Sequence, residues 1–149
     1  MTSPWPRRLS AFVAAVLVAV AWGALWQTQS NLAELQALGA TVEWPVRLRT
    51  TAQDLLGFGP LYAAVVTVAY AVAFPLAARI ARRGARPLWF ALAGWSALLL
   101  AIRLVDAATP PPVLIAATRA TLGWLGMTAG GALAGWLYAR LTAEPRWSG

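Results

Sequence analysis

The sequence predicts an all-α integral membrane protein: a bundle of four transmembrane helices, with short amphipathic periplasmic helices in its first loop, forming one domain over residues 1–149. Three observations predict it. Four apolar stretches each approach the ~20 residues that a ~30 Å hydrocarbon core requires. Only 11% of the residues are charged and 60% are hydrophobic, which leaves too little polar surface to cover a soluble globule, where ~25% charge is usual. The arginines also segregate along the chain in a way that orients the four stretches.

Span one covers about residues 9–26, "LSAFVAAVLVAVAWGALW". It follows Arg7 and Arg8. That basic pair, the apolar run and "AVA" at residues 19–21 have the outline of a secretory signal, but Trp22 directly after the small residues is a poor neighbour for a cleavage site. The stretch is therefore read as a retained span. Residues 27–59 form the long loop. Within it, "SNLAELQALG" has Ser30 as a helix N-cap, Leu32, Leu35 and Leu38 on one stripe and Gly39 as a stop. "WPVRLRTTAQDLLGFGP" follows, with Pro45 at a first helical position. It carries Leu48, Ala52, Leu55 and Leu56 on one face and Arg47, Thr51 and Asp54 on the other. These two helices are expected on the membrane surface, capping the bundle or offering a docking surface.

Span two covers about residues 60–78 and contains Pro75. Span three covers about residues 88–105. A polyproline turn and a short helical lead-in separate it from span four, "TLGWLGMTAGGALAGWLYARL", residues 121–141. The tryptophans towards the span ends, Trp22 and Trp26 among them, suit the membrane–water interface.

The charges then sort by side. Arg7, Arg8, Arg79, Arg82, Arg83, Arg86, Arg140 and Arg146 lie on one side with Glu144 alone against them. On the other, Arg47, Arg49, Arg103 and Arg119 balance Glu34, Glu43, Asp54 and Asp106. The whole net charge of +7 thus sits on one side. Basic loops stay inside, so both termini are expected in the cytoplasm of a multi-pass inner-membrane protein. Arginine-only, alanine-rich usage points to a GC-rich bacterial source. The charge calls for the bilayer's anionic cytoplasmic lipids as partners, and for no nucleic acid.

Span four raises the question of packing. Lipid tails are as apolar as leucine, so helices associate in a bilayer through close backbone approach, which small residues permit. Gly126 and Gly130 form one row, continued by Ala134; Gly131 and Gly135 form a second, about 100° away. Each row holds one helix. The first row is expected to serve the bundle itself and the second to face a partner. Matching small-residue stripes run through Ala11, Ala15, Ala19 and Gly23 in span one, Ala63, Thr67 and Ala71 in span two, and Ala93, Ala97 and Ala101 in span three.

Chemistry is scarce. The chain contains no cysteine, histidine or lysine. It therefore has no thiolate, no imidazole for metal, haem or general-base work, and no amine for a Schiff base. No catalytic motif, cofactor site or metal site is read, and an enzyme is not expected. The midplane polar groups Thr67, Tyr70, Ser96 and Thr128 are read as interhelical hydrogen-bonding residues. One cluster stands out at the outer interface: Asp54, Arg103, Asp106 and Arg119, which fall at similar depth. It is a charge-balanced structural tie or a site for an anionic headgroup or solute. The functional expectation is a non-catalytic accessory or scaffold subunit of a larger membrane complex, or a homo-oligomer. The alternative is a small transport or lipid- and anion-handling protein that uses the outer cluster.

Overall fold

The computed structural model describes residues 4–81, 85–108 and 121–143, and these are all helix or short connection. Five helices follow one another: α1 Pro4–Ala37, α2 Trp44–Gly57, α3 Gly59–Ile80, α4 Arg86–Ala108 and α5 Thr121–Leu141. No strand occurs among the described residues. Three of the helices, α1, α3 and α4, are long and apolar enough to cross a membrane. The helix that contains the two glycine rows, α5, falls outside that set because glycine and tryptophan dilute its apolar content. The polyproline turn, the lead-in to span four and Arg119 lie outside the described residues.

The first correction concerns α1. It was expected to leave the membrane near Trp26 and to be followed by a separate short helix capped by Ser30. Instead the chain runs as one helix of 34 residues, with Ser30 in its interior. Residues 27–31, "QTQSN", change the polarity of the helix but contain neither glycine nor proline, and nothing else there breaks the hydrogen-bond ladder. At 1.5 Å per residue α1 is about 51 Å long, well beyond a ~30 Å hydrocarbon core. The expected stop at Gly39 does occur: it takes φ +90°, the left-handed conformation that glycine adopts without strain.

The polar extension of α1 is paired with α2. Thr28 Oγ1 donates to Asp54 Oδ2 at 2.8 Å, and Arg47 donates to Gln29 and, at 3.2 Å, to Gln36 Oε1. Residues Arg47, Thr51 and Asp54 are the polar face read from the sequence, and that face turns inward. The apolar face turns outward: Leu48 and Leu56 are 65% and 79% exposed, and no residue of α2 is buried. A single residue, Phe58, separates α2 from α3, and its N–H still bonds to Asp54 O. Pro60 lies in the first turn of α3, where its missing N–H costs nothing.

α1, α3, α4 and α5 form an antiparallel ring in the spatial order α1–α3–α4–α5. The start of α1, the end of α3, the start of α4 and the end of α5 meet at one end, rich in arginine. The opposite end holds α2. Small residues set the neighbours. The whole row Ala11, Ala15, Ala19 and Gly23 of α1 is buried, and Gly23 lies against the ring of Tyr62. In α3 the buried row is the aromatic and branched one, Tyr62, Val66, Tyr70 and Phe74, while Thr67 and Ala71 of the small-residue stripe face outward.

Candidate functional site

The close contacts of α5 organise everything else. Both glycine rows are filled from within the chain. Gly126 and Gly130 lie under the rings of Trp26 and Trp22 of α1, where a methyl group would overlap the rings. The two rings stack at 6.2 Å and 9°. Trp22 Nε1 donates to Gly126 O at 2.8 Å, so the indole that suited the interface is a packing element. Gly131 and Gly135, expected to face a partner, instead receive α4: a Cβ at either position would run into the backbone of Gly94, Phe90 or Ala91. The physical reason is Gly94, buried on α4, which lets two helix backbones touch where an alanine on either side would hold them apart. Above this contact Trp95 Nε1 donates to Thr128 Oγ1 at 3.1 Å. Thr128 thus makes the interhelical bond expected of it. Ser96 and Thr67 are exposed, and the buried Tyr70 hydroxyl has no hydrogen-bond partner among the described residues.

Of the outer cluster, Asp54 and Arg103 make separate contacts. Asp54 belongs to the α1–α2 seam through Thr28. Arg103 lies over the ring of Trp124, 4.5 Å from its centroid, and so ties α4 to α5. Asp106 is half-buried near the end of α4, and Arg119 lies outside the described residues.

Two concave surfaces among the described residues bear on function. The larger is an apolar groove of about 860 Å³ between α3 and α4, running the length of both helices from Ile80 and Trp89 to Ala64 and Leu104. Its floor is laid by alanines of both helices, including the stripe Ala93, Ala97 and Ala101, and Ser96 is its one polar side chain. No described element of the chain covers it. The smaller, about 310 Å³, lies at the arginine-rich end and is walled by α1, α3, α4 and α5, with Arg8 and Arg86 at its edge.

That end also holds the groups that sequence reasoning passed over. Arg7 donates to Leu141 O at 2.9 Å and to Ala143 O. Arg86 donates to Thr142 O at 3.0 Å and Thr142 Oγ1 at 2.9 Å, with a longer bond to Ala139 O. Guanidiniums from α1 and α4 therefore satisfy the last carbonyls of α5, which a helix cannot satisfy itself. Beneath them Phe74 touches four other rings: Phe12, Tyr70, Phe90 and Tyr138. The signal for the clamp was in the sequence, as arginines flanking spans, but there it reads only as orientation.

No protein-family model matches the chain, and no curated protein or solved structure gives a match.

Proposed function

We propose that this chain is a non-catalytic, four-span inner-membrane subunit that offers the α3–α4 groove to a transmembrane helix, either of a larger complex or of a second copy. The observation that carries the reading is the groove itself: membrane-length, apolar and floored by alanine. Alanine floors let a helix approach closely, and dispersion along the contact is what associates helices in lipid. The small-residue rows of α1 and α5 are closed within the chain, whereas the alanine stripe of α4 lines this open groove. The placement in the bilayer is supported by the three long apolar helices and by the one-sided arginines, which favour cytoplasmic termini. In this reading α5 is the fourth span. The outward apolar face of α2 lies in the outer headgroup region, as amphipathic interfacial helices do. The absence of histidine, cysteine and lysine from the chain supports the non-catalytic part.

The test is native mass spectrometry and size exclusion of the full chain extracted in a mild detergent. Ala97→Phe, which fills the groove, should reduce the extracted species to a folded monomer. Leu17→Phe, on the exposed face of α1 (62% exposed), should leave its mass unchanged. A monomer in the wild type, extracted under the gentlest conditions and from its native membrane, would end this reading.

A further inference from the structure

We infer that the cavity at the arginine-rich end binds the phosphate headgroup of an anionic phospholipid, with Arg8 and Arg86 as donors. The inference rests on the bilayer placement proposed above, but not on the groove. Two of the cavity's lining side chains are guanidiniums and none is a carboxylate. The two come from different helices, α1 and α4, and differ in readiness. Arg86 is held by α5: three of its five N–H groups are engaged on Ala139, Thr142 and the Thr142 hydroxyl, which leaves two to donate. Its plane is steadied further by the Phe90 ring, 5.0 Å from Cζ to centroid. Arg8 has no hydrogen-bond partner among the described residues and is exposed at the cavity edge. One fixed and one adjustable guanidinium suit the planar, forked recognition of a phosphate diester.

The remaining walls argue for a lipid over a free anion. They are mostly aromatic or apolar, with Phe12, Phe74 and Phe90 among them. Ala71, Pro75 and Ala78 stand on the exposed side of α3, so the cavity opens sideways between α1 and α3 into the region of the acyl chains. Pro75 has no N–H, so the carbonyl of Ala71, a residue that lines the cavity, lacks its helical donor. A hydroxylated headgroup supplies one. The volume, about 310 Å³, is at the small end of the ~300–1,000 Å³ usual for ligand pockets, enough for a headgroup whose chains remain outside.

The full chain in mild detergent is titrated with dioleoylphosphatidylglycerol, dioleoylphosphatidylcholine or inorganic phosphate, and lipid adducts are counted by native mass spectrometry on each oligomeric species. Phosphatidylglycerol should bind at least about tenfold more tightly than phosphatidylcholine. Arg8→Gln should erase most of that preference. Arg79→Gln, which removes the same charge from an exposed position outside the cavity, should keep it. Arg8 takes no part in the clamp on α5, so its variant leaves the fold intact. Equal losses in the two variants would mean diffuse surface charge and overturn the site. Displacement of phosphatidylglycerol by equimolar inorganic phosphate would overturn the lipid as its ligand. A monomer that still selects phosphatidylglycerol would discard the groove reading alone.

Discussion

The α4–α5 contact and the α3–α4 groove are built from the same kind of residue at the same helical spacing, yet one is closed and the other open. Three glycines make the difference. Gly94, Gly131 and Gly135 bring two backbones into direct contact, whereas the alanines at 93, 97 and 101 lie at the floor of a space of about 860 Å³. A methyl group per turn separates a helix pair that has found its partner inside the chain from one that leaves room for another helix. The α1–α5 contact stands between these extremes: glycine faces not backbone but the flat rings of Trp22 and Trp26.

This ordering predicts the severity of substitutions. The largest effect is expected at Gly94. Leucine there drives the α5 backbone away over its whole middle, and backbone has no rotamer to yield. A loss of about 3 kcal/mol or more is expected, at the upper end of overpacking costs. It should appear as failure to recover folded monomer, or as early unfolding by circular dichroism in a denaturing-detergent titration. Gly130→Leu should cost less, about 1–3 kcal/mol, because the Trp22 ring opposite can rotate. Its signature is a shift in tryptophan emission before any loss of helicity. If Gly130→Leu proved the more damaging, ring packing rather than backbone contact would be the dominant tie. The smallest effect belongs to Trp22→Phe, which keeps a ring in the groove and removes the bond to Gly126 O together with part of the indole's stacking surface on Trp26. A loss of about 1 kcal/mol is expected in the same titration.

Much of this contrast was legible beforehand. Apolar length located α3, α4 and α5, the last with the same ends, 121 and 141, in sequence and structure. The two glycine rows were visible as rows because helical period fixes which residues share a face. Period does not say which helix arrives at that face. Gly94 decides it, and a single glycine among alanines carries no pattern of its own. Asp54 and Arg103 show a related limit. Depth in a membrane can be read from distance to a span end, so Asp54 and Arg103 were placed at one level. Angular position around the bundle cannot be read that way, and Asp54 faces α1 while Arg103 faces α5. The α1 extension was missed because a change from apolar to polar residues marks where a helix meets water, not where it ends. At the arginine-rich end, charge asymmetry showed which residues share a side. It could not show that Arg7 and Arg86 reach the carbonyls of a helix more than 50 residues away in sequence.

The helix at the centre of these contacts follows α1, α3 and α4 in the chain, and of these four it alone stands outside the set apolar enough to cross a membrane by length and composition. Glycine gives up side-chain transfer energy in return for contact, so α5 partitions into lipid less readily by itself than α1, α3 or α4. What it lacks in solubility it recovers only against surfaces already in place: the tryptophan pair of α1 and the glycine of α4. In the four-span arrangement proposed above, order of translation and order of assembly would coincide. On the proposed four-span reading, α1, α3 and α4 would enter on their own hydrophobicity and α5 would be admitted by the template they form, its final carbonyls held by Arg7 and Arg86.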